Sequence, residues 1–233
     1  MQGELEGTLA QVLRAPVALT VAGRTDAGVH ALGQVAHLDL PAPIEARRLN
    51  RALPPDVRVL AATVVPASFD ARFAALWRRY VYLIADGAVN PLRRRQVLAL
   101  RNQPRSLDVA AIARAAAKLV GEHDFVAFCR RREGATSIRV IQSFDVARVD
   151  GEIALTVQAD AFCHSMVRSL VGALIAVGEG RRAEDWPASL LTRTVRADEV
   201  TVAPPHGLTL LAVGYPPDAE LATRAAQTRR RRG

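Results

Sequence analysis

Residues 22–31 read Ala22-Gly23-Arg24-Thr25-Asp26-Ala27-Gly28-Val29-His30-Ala31, a carboxylate two residues from an arginine and framed by two glycines. The apolar run Val17–Ala22 ahead of it predicts a strand, and the run Gln34–Leu40 behind it predicts the next one. Asp26 is therefore expected at the tip of a tight connection, held out from a sheet edge. Gly23 and Gly28 supply the backbone freedom of a sharp turn and let a substrate or another backbone approach closely. Arg24 nearby would keep the acid ionised. An ionised, exposed and rigidly presented aspartate suits nucleophilic chemistry. Asp followed by a small residue and Gly is also an ordinary turn sequence, and alone it carries no more than that.

Outward from this turn, the pattern alternates helices and strands. A helix is predicted over Gln2–Arg14, a second over Ile44–Ala52, and strands over Val57–Val65 and Arg79–Ala85. Asn90-Pro91 and the arginines Arg93, Arg94 and Arg95 read as a link to a second half. That half opens with a helix over Leu107–Val120, Ser106 its N-cap and Gly121 its stop. Asp150-Gly151 lies between the alternating runs Val140–Val149 and Glu152–Gln158, a strong hairpin signal. Met166, Val167, Leu170, Val171, Leu174 and Ile175 share one helical face and are expected in the core. The fold class from pattern alone is mixed α+β, with an amino-terminal part over 1–90, a second over 91–216 and a disordered basic tail over 217–233.

Composition narrows the class of function. Half of the 233 residues are hydrophobic and 23% are charged, as in a soluble globular protein. The longest apolar stretch, Ser169–Gly178, is too short to span a bilayer, and the amino terminus reads as an amphipathic helix rather than a signal peptide. A cytoplasmic protein without membrane association is expected. Cys129 and Cys163, without metal-ligand spacing, read as reduced, buried or incidental thiols, and no metal site is expected. The net charge of +8 points to a polyanionic partner. Arg229, Arg230, Arg231 and Arg232 carry four of those charges, so the body is itself basic. Lys118 is the only lysine, and arginine both forks onto phosphates and stacks on bases.

The run G-R-T-D-A-G-V-H-A, followed by G-Q-V-A-H at Gly33–His37, closely resembles the catalytic motif of the TruA-type tRNA pseudouridine synthases. Leu49-Asn50-Arg51-Ala52-Leu53-Pro54-Pro55-Asp56-Val57 resembles the L-N-x-x-L-P-x-D-I segment of that family. Phe69-Asp70-Ala71-Arg72-Phe73 and Arg78-Arg79-Tyr80-Val81-Tyr82 resemble its F-x-A-R-F and R-x-Y-x-Y pair. Gly121-Glu122-His123-Asp124-Phe125 with Phe128 resembles G-x-H-D-F-x-x-F. Ala161-Phe162-Cys163-His164-Ser165-Met166-Val167-Arg168 resembles A-F-L-x-H-M-V-R, departing at Cys163 and Ser165. Ala203-Pro204-Pro205-His206-Gly207-Leu208 and Tyr215-Pro216 close a series that runs in order along nearly the whole chain. The Y-D-G and G-W-Q-R-Q segments that usually precede the first helix do not occur, so the first strand of the family is expected to be missing.

The resemblance implies two ferredoxin-like or RRM-like α/β subdomains that form one long antiparallel sheet with the active cleft between them. It implies isomerisation of uridine to pseudouridine in the anticodon stem-loop of tRNA, at positions 38 to 40, by a homodimer. The reaction breaks an N-glycosidic bond, turns the base and forms a C–C bond without redox change, so no cofactor is expected. By resemblance Asp26 is the catalytic carboxylate. Arg24 pairs with it or fills the space left by the extruded nucleotide. Tyr80 stacks on the target base. Arg72 lies near the acid, and Arg168 contacts phosphate. Tyr82, two residues along the same strand face, is the second choice for stacking. His164, one helical turn before Arg168, is expected to be structural, and His30 and His37 form no credible metal site with Asp26. Two further possibilities stay open: an RNA-binding protein that has lost catalysis with its first strand, and an unrelated basic α/β enzyme using Asp26 as acid or base.

Overall fold

Strand-forming runs and a two-residue turn build the centre of the molecule. In the computed structural model, which describes residues 1–100, 106–130, 134 and 136–232, Asp150 and Gly151 both have positive φ, 50° and 81°. This is the backbone a tight hairpin needs to match the twist of its strands. Because the side chains of Arg231 and Arg232 lie outside the described residues, half of the arginine run is seen only as backbone.

The chain forms two compact units, one made of residues 1–24, 35–75 and 215–230, the other of 25–34 and 76–214. They cut across the boundary at residue 90 read from the sequence. The larger unit holds a seven-stranded sheet built from β2 (His30–Ala31), β4 (Trp77–Ala85), β5 (Leu98–Ala99), β6 (Gly121–Asp124), β7 (Ile138–Val149), β8 (Glu152–Ala159) and β9 (Leu208–Gly214). Their order is β2-β9-β4-β8-β7-β6, with β5 beside β4. The pairs β2/β9 and β4/β5 are parallel and the others antiparallel, so the sheet is mixed rather than wholly antiparallel.

Helices α3 (Val109–Ala117) and α4 (Met166–Gly178) pack with this sheet over a continuous apolar core. The cap of α3 is Asp108, which accepts from the Ala111 N–H at 2.8 Å, rather than the expected Ser106. The Leu107 N–H, one residue earlier, is held by Asp86 at 2.9 Å. Every residue of α4 except Arg168 is buried, wider than the single stripe expected, because the helix is covered on several sides. A Cβ on Gly172 would collide with the Thr201 carbonyl, so the following strand of chain lies directly on the helix.

The smaller unit contains α1 (Gln2–Leu13), the short antiparallel pair β1 (Thr20–Val21) and β3 (Ala36–His37), α2 (Ala46–Asn50) and, up to Arg230, α6 (Leu221–Arg232). Leu9, Leu49, Leu53 and Val57 form its core with partly buried Leu5, Leu13 and Leu19. Residues 57–65, expected as a strand, form none. Leu60 and Val64 are exposed, and Asn50 brackets Val59 with two side-chain hydrogen bonds of 2.8 Å. A side chain thus takes the backbone groups that a neighbouring strand would use. The expected disordered tail is also corrected. In α6, Leu221 and Ala225 are buried against Ala74, and Arg229 reaches Asp70 at 2.7 Å while lying over the Phe73 ring. An apolar pair one turn apart gives this arginine-rich helix a side to bury.

Candidate active site

The turn that carries Asp26 is held by the larger unit. The Val29 N–H closes onto the Asp26 carbonyl at 3.1 Å, β2 runs parallel to β9, and the Leu32 N–H donates to the Leu210 carbonyl at 2.8 Å. Gly28 has φ of 84°, and a Cβ there would come within 3.0 Å of Pro205. Its glycine is required by backbone conformation and by close approach together. Asp26 is thereby presented from a turn anchored on its carboxyl-terminal side.

Its carboxylate has two neighbours. Arg168 Nη1 donates to Oδ2 at 2.8 Å, and His164 Nε2 lies 3.2 Å from Oδ1. Arg168 stands in the first turn of α4 and His164 just ahead of it, so the carboxylate sits beside the amino end of that helix, where the dipole favours negative charge. Arg168 is itself fixed, its Nε donating to the Ala203 carbonyl at 2.7 Å. The Ala203 N–H returns to the Arg168 carbonyl at 3.0 Å. Side-chain exposure is 29% for Asp26, 18% for Arg168 and 48% for His164, so the ion pair is partly shielded while still reached by solvent.

The segment Ala203–Leu208 organises this region with small contacts. Ala203 holds Arg168, the Pro204 carbonyl accepts from the Tyr82 hydroxyl at 2.8 Å, and Pro205 packs on Gly28. A Cβ on Gly207 would fall 2.7 Å from the Tyr82 ring. Tyr82 is accordingly a fully buried core residue, and its hydroxyl is pushed well above the usual phenol value by burial. Its candidacy for stacking ends there, since neither ring face is open.

Tyr80 lies on the same face of β4, beside a register shift between Arg79 and Tyr80 against β9. It is 7% exposed and meets Phe162 edge to face, with centroids 5.2 Å apart. Burial pushes its phenol up to about 12; Arg78 opposes this and the charge of Asp26 adds to it. The hydroxyl is neutral at any working pH. Arg78, in the same strand, is buried and donates to the Asp160 carbonyl at 2.9 Å.

Arg24 and Arg72 belong to the smaller unit, and both are exposed. Arg72 lies 5.1 Å from the Phe73 ring, on a turn capped by Asp70, which accepts from the Arg72 and Phe73 N–H groups at 2.8 Å. Burial raises the Asp70 carboxyl, but these two N–H groups and Arg229 outweigh it and hold it low. His37, in β3, accepts from the Ala71 N–H at 3.0 Å, and His30 Nε2 pairs with the Arg95 carbonyl at 2.5 Å. No group of acids, histidines and cysteines among the described residues could hold a metal ion.

His164 was expected to be structural, yet it faces Asp26. Its spacing from Arg168 was the available signal, but nothing local tied either residue to an aspartate 142 positions before Arg168. The cysteine expectation is overturned as well. Cys129, after the 3-10 turn Val126–Phe128, and Cys163, after β8, have Cα atoms 5.7 Å apart and form a disulfide. That separation falls in the range a bridge needs, about 4.4–6.8 Å. A gap of 34 residues concealed the pairing in sequence. Among the described residues, no helix is long and apolar enough to cross a membrane.

Residues 115–216 match the sequence profile of a family described as tRNA pseudouridine synthase. A tRNA pseudouridine synthase A from Frankia casuarinae is 59% identical over 98% of this chain and 85% of its own length. One from Streptomyces griseus is 54% identical over 98% and 84%, and one from Mycobacterium leprae 46% over 97% and 85%. Identity of this degree over nearly the entire sequence is decisive: the chain belongs to the tRNA pseudouridine synthase A family.

Proposed function

We propose that this protein isomerises uridine to pseudouridine in the anticodon arm of tRNA, with Asp26 as the catalytic carboxylate. Family membership supports the reaction, and the observation that carries the assignment is the Asp26–Arg168 ion pair on a glycine-bearing turn. The bond between N1 of the base and C1′ of the sugar breaks, the base turns, and C5 bonds to C1′. C5 then gives up its proton and N1 gains one, so atoms balance without a co-reactant. A carboxylate held by a guanidinium has one oxygen oriented, and the other is the oxygen that acts.

Tyr80, 7% exposed at the edge of the core, is the side chain assigned to stack on the extruded base, a contact class worth about 1–3 kcal/mol. Arg168 orients Asp26. Arg24 and Arg72, exposed cations, serve the RNA backbone. The basic body favours tRNA as partner, and the working form is a homodimer in the cytoplasm.

Pseudouridine mapping on unmodified tRNA, with wild type and Asp26→Ala side by side, tests this. New pseudouridine in the anticodon arm from wild type only, with tRNA affinity retained by the variant, is the expected result. Parallel loss of binding and product would remove Asp26 from the chemistry. Binding without product from wild type would mean an RNA-binding protein.

A further inference from the structure

We propose that Cys129 and Cys163 are a reversible thiol–disulfide site that governs Asp26 through His164, the disulfide form being the slow one. This rests on Asp26 as the catalytic carboxylate. Cys163 directly precedes His164, and the His164 carbonyl accepts from the Arg130 N–H at 3.0 Å. One covalent tie and one hydrogen bond thus fasten residues 129–130 to residues 163–164. The tether reaches His164 where its ring meets Asp26 Oδ1, while Arg168 holds Oδ2. Oδ2 is then held by Arg168 and the His164 ring stands against Oδ1, the oxygen a reacting carboxylate needs open.

The turn into α4 is suited to moving. Ser165, the next residue, has φ of 65°, in the left-handed region that side chains other than glycine, asparagine and aspartate disfavour. With the tie cut, Ser165 relaxes toward ordinary backbone and carries His164 off Oδ1. Access for the exchange is one-sided. Cys129 is 3% exposed, whereas Cys163 is half-buried, so an incoming thiolate attacks Sγ of Cys163. The mixed disulfide at Cys163 frees Cys129 as thiolate, and a second thiol resolves it, leaving two protein thiols and one oxidised low-molecular-weight disulfide. In the reverse direction that disulfide accepts the two electrons and is released as two thiols.

The test uses the full chain, equilibrated with oxidised glutathione or with dithiothreitol, its state fixed by thiol counting. Single-turnover pseudouridine formation is measured well below the melting temperature. The oxidised chain should be slower by about tenfold, equivalent to roughly 1.4 kcal/mol, and dithiothreitol should restore it. Cys163→Ser and, separately, Cys129→Ser should keep the reduced rate under both conditions. His164→Ala should form the disulfide and yet show one rate in both states, which a merely structural bridge would not produce. Equal wild-type rates in the two states, with Asp26→Ala inactive, would overturn this inference alone. A redox difference that persists in His164→Ala would overturn the route through His164. A fully active Asp26→Ala would overturn the underlying assignment too.

Discussion

Replacing Arg168 by lysine keeps the charge and removes the fork. In the structure one guanidinium serves two acceptors, Asp26 Oδ2 at 2.8 Å through Nη1 and the Ala203 carbonyl at 2.7 Å through Nε. A lysine ammonium on a similar stem cannot lie along both directions at once. One hydrogen bond from a charged donor is therefore lost, about 1.5–3 kcal/mol, with Arg168 largely shielded from solvent. At about 2–4 °C per kcal/mol, the larger unit should melt a few degrees lower. The rate should suffer more, because Arg168 fixes the direction of the carboxylate, and a misplacement of about 1 Å costs roughly 10²-fold. The assay is single-turnover release of tritium from C5-labelled uridine in tRNA, since C5 loses its hydrogen when it bonds to C1′. Saturating enzyme separates the chemical step from binding. Turnover at the wild-type rate in Arg168→Lys, with the expected melting shift present, would refute the claim that Arg168 orients Asp26.

Two other outcomes follow from the same geometry. Tyr80→Phe should lose little activity, because the ring does the packing and the hydroxyl, pushed up to about 12 by burial, never ionises in the assay range; a collapse as deep as that of Asp26→Ala would give the hydroxyl a chemical role. Asp86 is nearly fully buried, and its carboxyl is held low first by the Arg148 guanidinium, against burial, with the Leu107 N–H assisting. A carboxyl lowered in the folded state stabilises above its unfolded value, about 3.9, and that stabilisation fades as pH falls through the folded value. Asp86→Asn should therefore be less stable than wild type at pH 7 by about 1–2 kcal/mol, and urea unfolding should show the gap closing below pH 4. A gap independent of pH would show that packing, not charge, is lost.

The local geometry of the candidate site was legible along the chain because it depends on short stretches of backbone. The glycines around Asp26, the positive-φ pair Asp150-Gly151 and the alternation of β7 and β8 each depend on backbone preferences a few residues long. The same holds for Tyr80 and Tyr82 facing one side of β4, since alternation is a property of any strand. The family motifs extended that to the reaction. Where local pattern lacked a partner it misled: residues 57–65 had the composition of a strand, but strands exist only in ladders, and Asn50 claimed Val59 first. The last helix reversed the error, because two apolar side chains one turn apart had a surface to cover at Ala74.

By itself the sequence determined the chemistry available: a carboxylate on a glycine turn, a strand tyrosine, a basic body and a family. Only the tertiary structure decided which groups meet. It set Arg168 rather than a sequence neighbour against Asp26, turned His164 toward the same carboxylate, sealed Tyr82 in the core and joined Cys129 to Cys163. Each of these depends on chain closure over long separations, which packing of the whole sheet and α4 settles and no short window of residues contains.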